Sequence, residues 1–289
     1  MRIAELYAAG GKPVLSLEFF TPKSDSGRQA LFRAIKRLTT IDPGFVSITC
    51  GAAGTTRERT ADLAIDIEGE FGVTTMAHLV CTGTTEQELR ETLRYMSDNG
   101  ITNVLALRGD PPRGASNWEP VDGGFGHANE LAAFVRSQFD LGIGGACYPE
   151  KHHEAPSLEV DIDHLVTKVH AGAEFLITQL FFDNDRYRAF VEAIRARGID
   201  VPIVPGVMPV LNLANLQRIA ALSPGTQVPA ALEEALRDAG DDDEAALEAG
   251  VEFAAAQCRD LIAYGAPGIH FYTLNRSKAT LQTVARIGL

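Results

Sequence analysis

At 289 residues the chain is long for one ordinary domain but typical of a single α/β barrel, so its length calls for no second domain. A hydrophobic content of 45% supplies a large core, while 38 Asp and Glu against 26 Lys and Arg leave a net charge of -12, a field that repels nucleic acid and anionic membrane surfaces. The four cysteines, Cys50, Cys81, Cys147 and Cys258, stand far apart without a C-x-x-C pair, which argues against a zinc ribbon or a disulfide scaffold and suits a reducing cytoplasm.

The opening M-R-I-A-E-L-Y-A-A-G has no long apolar core, so no secretory leader is expected, and no apolar run reaches membrane-spanning length. Val14 to Pro22, V-L-S-L-E-F-F-T-P, is apolar enough for a strand buried on both faces, yet Glu18 sits in its middle. A carboxylate there needs a partner, water or a proton, because an unpaired buried charge is expensive. Two readings stand: a structural salt bridge, or a proton donor whose pKa is raised by apolar neighbours so that it acts near neutral pH.

Leu31, Ile35 and Leu38 recur at helical spacing over Arg28–Leu38, and Phe45–Thr49 is a second apolar strand ending in S-I-T-C-G. Thr60–Phe71 reads as a helix and T-T-M-A-H-L-V as a strand. Glu88 is placed to complete a capping box from Thr85, opening a helix that stops at Asn99-Gly100. The alternation then continues. Strands are predicted at Asn103–Leu107, Ile143–Cys147, Phe175–Leu180, Val201–Val207 and Ile269–Tyr272, with helices at His127–Phe139, Val160–Ala171, Asn184–Arg197 and Arg276–Ile287. A longer helical excursion over Leu213–Tyr264 is broken at Ser223–Gly225 and Gly240, and the acidic run Asp241–Glu244 is placed to cap its last part. Eight strands separated by helices predict an α/β fold, a single (β/α)8 TIM barrel over residues 1–289, with a doubly wound open sheet as competitor.

Thr49, His78, Arg108, Asp110, Tyr148, Gln179 and Tyr272 all lie at or just past the carboxyl ends of predicted strands, which in a barrel converge on one rim. Any one of them alone is ordinary turn or cap chemistry. Polar groups ending nearly every strand point to a site, and Glu18 belongs to the same rim. Gly124-Phe-Gly126 follows no strand and is no dinucleotide fingerprint, and Gly51–Gly54 is too short for a phosphate loop. Tyr148–Glu154, Y-P-E-K-H-H-E, lacks a clear third ligand for a metal.

L-E-F-F-T-P, S-I-T-C-G, A-H-L, A-L-R-G-D-P-P, Y-P-E-K-H-H-E-A, I-T-Q-L-F-F-D, P-G-V-M-P-V and H-F-Y-T-L-N-R occur in one collinear order. In that order, from Val14 to the C-terminus, the chain resembles the methylenetetrahydrofolate reductase family in its short bacterial form, without the regulatory extension of eukaryotic members. The resemblance implies an FAD-dependent barrel that reduces methylenetetrahydrofolate to methyltetrahydrofolate with NADH or NADPH, by a ping-pong route that supplies methyl groups for methionine synthesis. Glu18 matches the family's acid, which helps open the folate's five-membered ring to a reactive iminium. Asp110 matches the aspartate between flavin and folate, and Gln179 the glutamine that contacts pterin and nicotinamide in turn. Asn215, Tyr272 and Arg276 complete the implied substrate contacts.

The implied flavin contacts are Thr49, Cys50, His78, Arg108, Gly109, Asp110, Ala128, Tyr148, His152, Asp161, His164, Thr167 and Lys168. Arg108, His152 and Lys168 offer positive charge to a pyrophosphate, and Asp161 an acceptor to a ribose hydroxyl. Three positions depart from the family pattern: Cys50 stands where Tyr is frequent, Asn215 where a longer glutamine occurs, and Ile219 where an aromatic covers the substrate. The accompanying expectations are a cytoplasmic homo-oligomer with a folate substrate and no metal, nucleic-acid or membrane partner. The alternatives are a pterin-binding methyltransferase or lyase without redox chemistry, and a non-catalytic folate- or flavin-binding subunit.

Overall fold

The apolar runs line up side by side in the computed structural model, which describes residues 1–51, 56–110, 120–222 (221 and 222 as backbone) and 225–289. They form one nine-stranded parallel sheet: β1 Val14–Phe20, β2 Phe45–Thr49, β3 Thr75–Val80, β4 Asn103–Leu107, β5 Gly142–Cys147, β6 Phe175–Thr178, β7 Ile203–Val204, β8 Gly206–Val207 and β9 Gly268–Tyr272. The helices between them are α1 Ile3–Ala8, α2 Asp25–Leu38, α3 Arg57–Phe71, α4 Glu86–Asp98, α5 Ala128–Gln138, α6 Leu158–His170, α7 Asn184–Arg195, α8 Leu213–Leu222, α9 Ala230–Asp238, α10 Asp243–Tyr264 and α11 Lys278–Ile287. This is the (β/α)8 barrel, not the open sheet. The stretches Gly51–Gly54, R-G-D-P-P-R-G and Ser223–Gly225 run into residues 52–55, 111–119 and 223–224, which lie outside the described residues.

One expected strand is two. Val201–Val207 is cut at Pro205, which has no N–H to give a ladder. β7 pairs with β6 and β8 pairs with β9, so the two halves of one segment hold opposite edges of the sheet and close it. α1 is absent from the sequence-based reading, because six residues are too few to display a helical period. It plugs the amino-terminal mouth, where Ile3 N donates to Asn103 Oδ1 at 2.8 Å and the Tyr7 ring meets those of Phe45 and Phe175.

Strand side chains alternate faces. The outward set on β1 and β2 (Leu15, Leu17, Phe19, Val46 and Ile48) is buried beneath the helices in the main core. Each such side chain stabilises the fold by roughly 1.5–3 kcal/mol. The inward set is layered. Phe45, Met76, Leu105 and Phe175 form an apolar floor with Ile3, and Ser16, His270 and Glu18 stand above it. Among the described residues no helix is long and apolar enough to cross a membrane.

Candidate active site

Glu18 points into the barrel from the carboxyl half of β1, in register with Ser47 on β2 and Tyr272 on β9. The strand is held there by the loop that follows β9. Thr273 Oγ1 donates to Glu18 O at 2.7 Å, and Asn275 answers both backbone groups of Phe20: its Oδ1 accepts from Phe20 N at 2.7 Å and its Nδ2 donates to Phe20 O at 2.9 Å. Leu274 and Asn275 both take left-handed backbone angles (φ 52° and 58°), a conformation that asparagine tolerates and leucine does not favour. The turn is thus bent to keep these contacts.

The Glu18 side chain is 12% exposed, and two imidazoles face the same oxygen: His78 Nε2 lies 3.4 Å and His270 Nε2 3.5 Å from Oε2. Burial presses the carboxyl's pKa upward. The two imidazoles, His270 and then His78, outweigh that and hold it at about 2. The expected upward shift is therefore reversed, because Glu18 is surrounded by donors on the inner face and by apolar side chains only on the outer one. Among the described residues no group of three His, Cys, Asp or Glu side chains is arranged to hold a metal ion.

Tyr272 joins this cluster to the next strand. Its hydroxyl donates to Thr178 O at 2.6 Å, the residue before Gln179, and Gly206 makes room for that contact. A Cβ on Gly206 would lie 2.5 Å from Thr178 O and 2.7 Å from the Tyr272 hydroxyl. Beside it, Asp110, Tyr148, His152 and Gln179 line one cavity of about 130 Å³. Burial pushes the Tyr148 hydroxyl up, with Asp161 and Asp110 adding to it, and Tyr272 feels both Glu18 and Tyr148. Glu18, Tyr272, Tyr148 and Asp110 are thus one electrostatic neighbourhood.

Arg108 follows β4 and is gripped by Glu154 from the β5–α6 loop: Nη2 donates to Oε1 at 2.9 Å and Nη1 to Oε2. The next residue, Gly109, has φ 89°, and a Cβ there would lie 2.1 Å from Val80 Cγ1, so only glycine fits. Asp161 Oδ2 accepts from His152 N at 2.8 Å. Burial and then His153 lower the His152 pKa. Lys168 reaches inward from α6 and donates to Ala146 O at 2.7 Å, and burial lowers its pKa.

The remaining expected contacts are spread over the end of β2, α5, α6, α8 and the approach to α11. Thr49 O accepts from Thr21 and Thr60 hydroxyls at 2.7 and 3.1 Å, and burial raises the Cys50 pKa, so it stays a thiol. Ala128 opens α5, His164 and Thr167 are exposed on α6, and Arg276 is exposed before α11. Asn215 accepts from Leu211 N at 3.2 Å at the start of α8, and Ile219 is buried with Leu180, Phe182 and Met208. His270, Thr178, Gly206, Thr273 and Asn275 escaped the sequence-based reading. Their one local signal is the T-L-N tail of the last strand, a turn signature without a visible partner.

Residues 2–288 match the sequence family described as methylenetetrahydrofolate reductase. Methylenetetrahydrofolate reductase (NADH) 1 of Arabidopsis thaliana is 39% identical over 290 residues, covering 96% of this chain and 49% of the plant protein. The 5,10-methylenetetrahydrofolate reductase of Escherichia coli is 35% identical over 279 residues, covering 96% of this chain and 92% of that one. The chain spans about half the length of the plant and yeast relatives it matches. A Clostridium thermocellum structure, described as binding two copies of 5-methyl-5,6,7,8-tetrahydrofolic acid, superposes with a TM-score of 0.71 at 16% identity over 98% of this chain and 96% of that one. That likeness speaks to the fold.

Proposed function

The chain belongs to the methylenetetrahydrofolate reductase family, and from that premise we propose that it reduces methylenetetrahydrofolate to methyltetrahydrofolate with NADH or NADPH through bound FAD. The observation that carries the reading is the inward Glu18 carboxyl, faced by two histidines and in register with Tyr272, whose hydroxyl reaches the residue before Gln179. A non-catalytic binding subunit has little use for a buried carboxylate faced by two imidazoles.

The donor set fits the flavin nucleotide. Arg108, His152 and Lys168 supply cationic or protonatable nitrogens, Asp161 a carboxylate, and Tyr148 a ring to stack against. A pyrophosphate at Arg108 would share or displace Glu154, whose grip already orients the guanidinium. His78 Nε2, 3.4 Å from Glu18 Oε2, is buried without a hydrogen bond, a ring nitrogen that a polar ring edge could engage. When bound, FAD would supply the hydride.

The chain's own groups handle binding and the proton. Asp110 is exposed at the cavity, where its charge favours a cationic folate. Gln179, with its Oε1 accepting from Leu180 N at 3.2 Å, turns its amide N–H donors toward a pterin or a nicotinamide. Glu18 is an anion in the free protein. As a folate ring covers it, desolvation favours its neutral form, so it takes up the proton it then delivers to the opening five-membered ring. The reading carries with it a cytoplasmic homo-oligomer feeding methionine synthesis.

The purified protein should be yellow, be bleached by anaerobic NADH or NADPH, and be reoxidised by methylenetetrahydrofolate. Glu18→Gln should stop the reoxidation and leave the bleaching largely intact. A wild-type flavin that bleaches but that the folate cannot reoxidise defeats the proposal. Equal loss of both half-reactions in the variant would assign Glu18 to the flavin or to the fold.

A further inference from the structure

His270 lies one layer below Glu18 on β9, wholly buried at 0% exposure. Its two ring nitrogens have different neighbours. Nδ1 is 2.8 Å from Ser16 Oγ on β1, and Nε2 is 3.5 Å from Glu18 Oε2. The Ser16 hydroxyl has one proton, and its other acceptor, Ile269 O, is at 3.5 Å, so the short contact is with the ring.

A hydroxyl that donates to Nδ1 leaves the ring's own proton on Nε2, aimed at the carboxylate. The opposite tautomer would set a wholly buried nitrogen lone pair against carboxylate lone pairs, which is costly. The ring is also hemmed in. Phe45 lies near-parallel to it at 6.0 Å between centroids and Tyr272 stands edge-on at 5.4 Å, so two aromatic rings border it.

The other groups facing Glu18 do not substitute for it. His78, from β3, brings its Nε2 within 3.4 Å without making a hydrogen bond, and the Tyr272 hydroxyl donates to Thr178 O instead. We propose that His270, with its tautomer set by Ser16, is a positioning residue that orients the Glu18 carboxyl and stabilises its anionic form. The catalytic consequence rests on Glu18 being the acid of the proposed reaction; the contact itself does not.

The test is a titration of the ligand-free protein with 13C at the glutamate Cδ, read by NMR, the Glu18 resonance being assigned by its loss in Glu18→Gln. Wild type should titrate below the ordinary carboxylate range. His270→Ala should raise the midpoint by about one pH unit or more, as loss of a close donor to a buried carboxylate does. His270→Gln, which restores an N–H donor, should bring it back toward wild type. Ser16→Ala should move it the same way as His270→Ala, by less, and carries the test if His270→Ala does not fold. The proposal falls if Ser16→Ala and a folded His270→Ala leave the midpoint in place, or if His270→Gln matches His270→Ala. If the midpoints move as stated while the wild-type flavin cannot pass its hydride to the folate, the reductase reading fails and the part given to His270 stands.

Discussion

Gly206 acts through the side chain it lacks. Its N–H donates to Thr178 Oγ1 at 2.9 Å, and its bare Cα lets the Tyr272 hydroxyl reach Thr178 O past it. Gly206→Ala would put a methyl into space already held by a backbone oxygen and a phenol, so the variant should lose ~1–3 kcal/mol, the usual cost of overpacking a filled interior. Urea unfolding measures it, and an unchanged midpoint would mean that β8 shifts freely. At this scale the sequence showed some residues and hid others. Glu18 was visible because a charge inside an apolar run is anomalous on its face. His270 was not, because a histidine inside G-I-H-F-Y looks like any buried aromatic until the fold brings it to a carboxylate 252 positions away.

Helix starts are local chemistry, and they emerged from local signals. The box expected at Thr85 and Glu88 forms: Thr85 Oγ1 accepts from Glu88 N at 3.3 Å and Glu88 Oε2 from Thr85 N at 2.8 Å. Thr85→Ala should therefore cost about 1 kcal/mol, seen as a lower denaturation midpoint with unchanged slope. No change would mean that the Glu86 N to Gly123 O bond at 2.8 Å fixes the start of α4 by itself. Asp242 likewise caps α10, accepting from Glu244 N and Ala245 N at 3.0 Å each, as the acidic run implied. Where helices begin earlier than expected, at Asp25 and Leu158, the cause is a serine just outside: Ser24 accepts from Gly27 N and Ser157 from Val160 N. The division of β7 from β8 also has a local mark, Pro205, but that mark does not say which neighbour each half will join.

Barrel closure turns the inner carboxylate into a term in the stability of the whole molecule. The folded state holds Glu18 at about 2 against an ordinary 4.5, so its contribution is fully present above pH 4.5 and is lost as the pH falls toward 2. Stability in urea should thus fall more steeply between those values for wild type than for Glu18→Gln, which has no proton to gain at that position. Parallel curves would show that the carboxyl titrates alike in both states. The same closure makes long-range pairs out of sequence-distant ends: β1 takes β9 as its neighbour, and the loop after β9 clamps the backbone at Phe20.

The strand–helix alternation, the helix caps at Thr85 and Asp242, the rim on which polar groups gather and, through the ordered motifs, the family were all legible in the residues. Those features are set by neighbours a few residues apart or by short segments read whole, so they survive without coordinates. Coordinates were needed to see that Glu18 is held down by His78 and His270 rather than raised by its apolar neighbours, that Arg108 is gripped by Glu154, and that Ser16 meets the His270 ring at 2.8 Å. Each of those depends on which side chain a closed barrel places across its interior, where separation along the chain carries no information about distance in space.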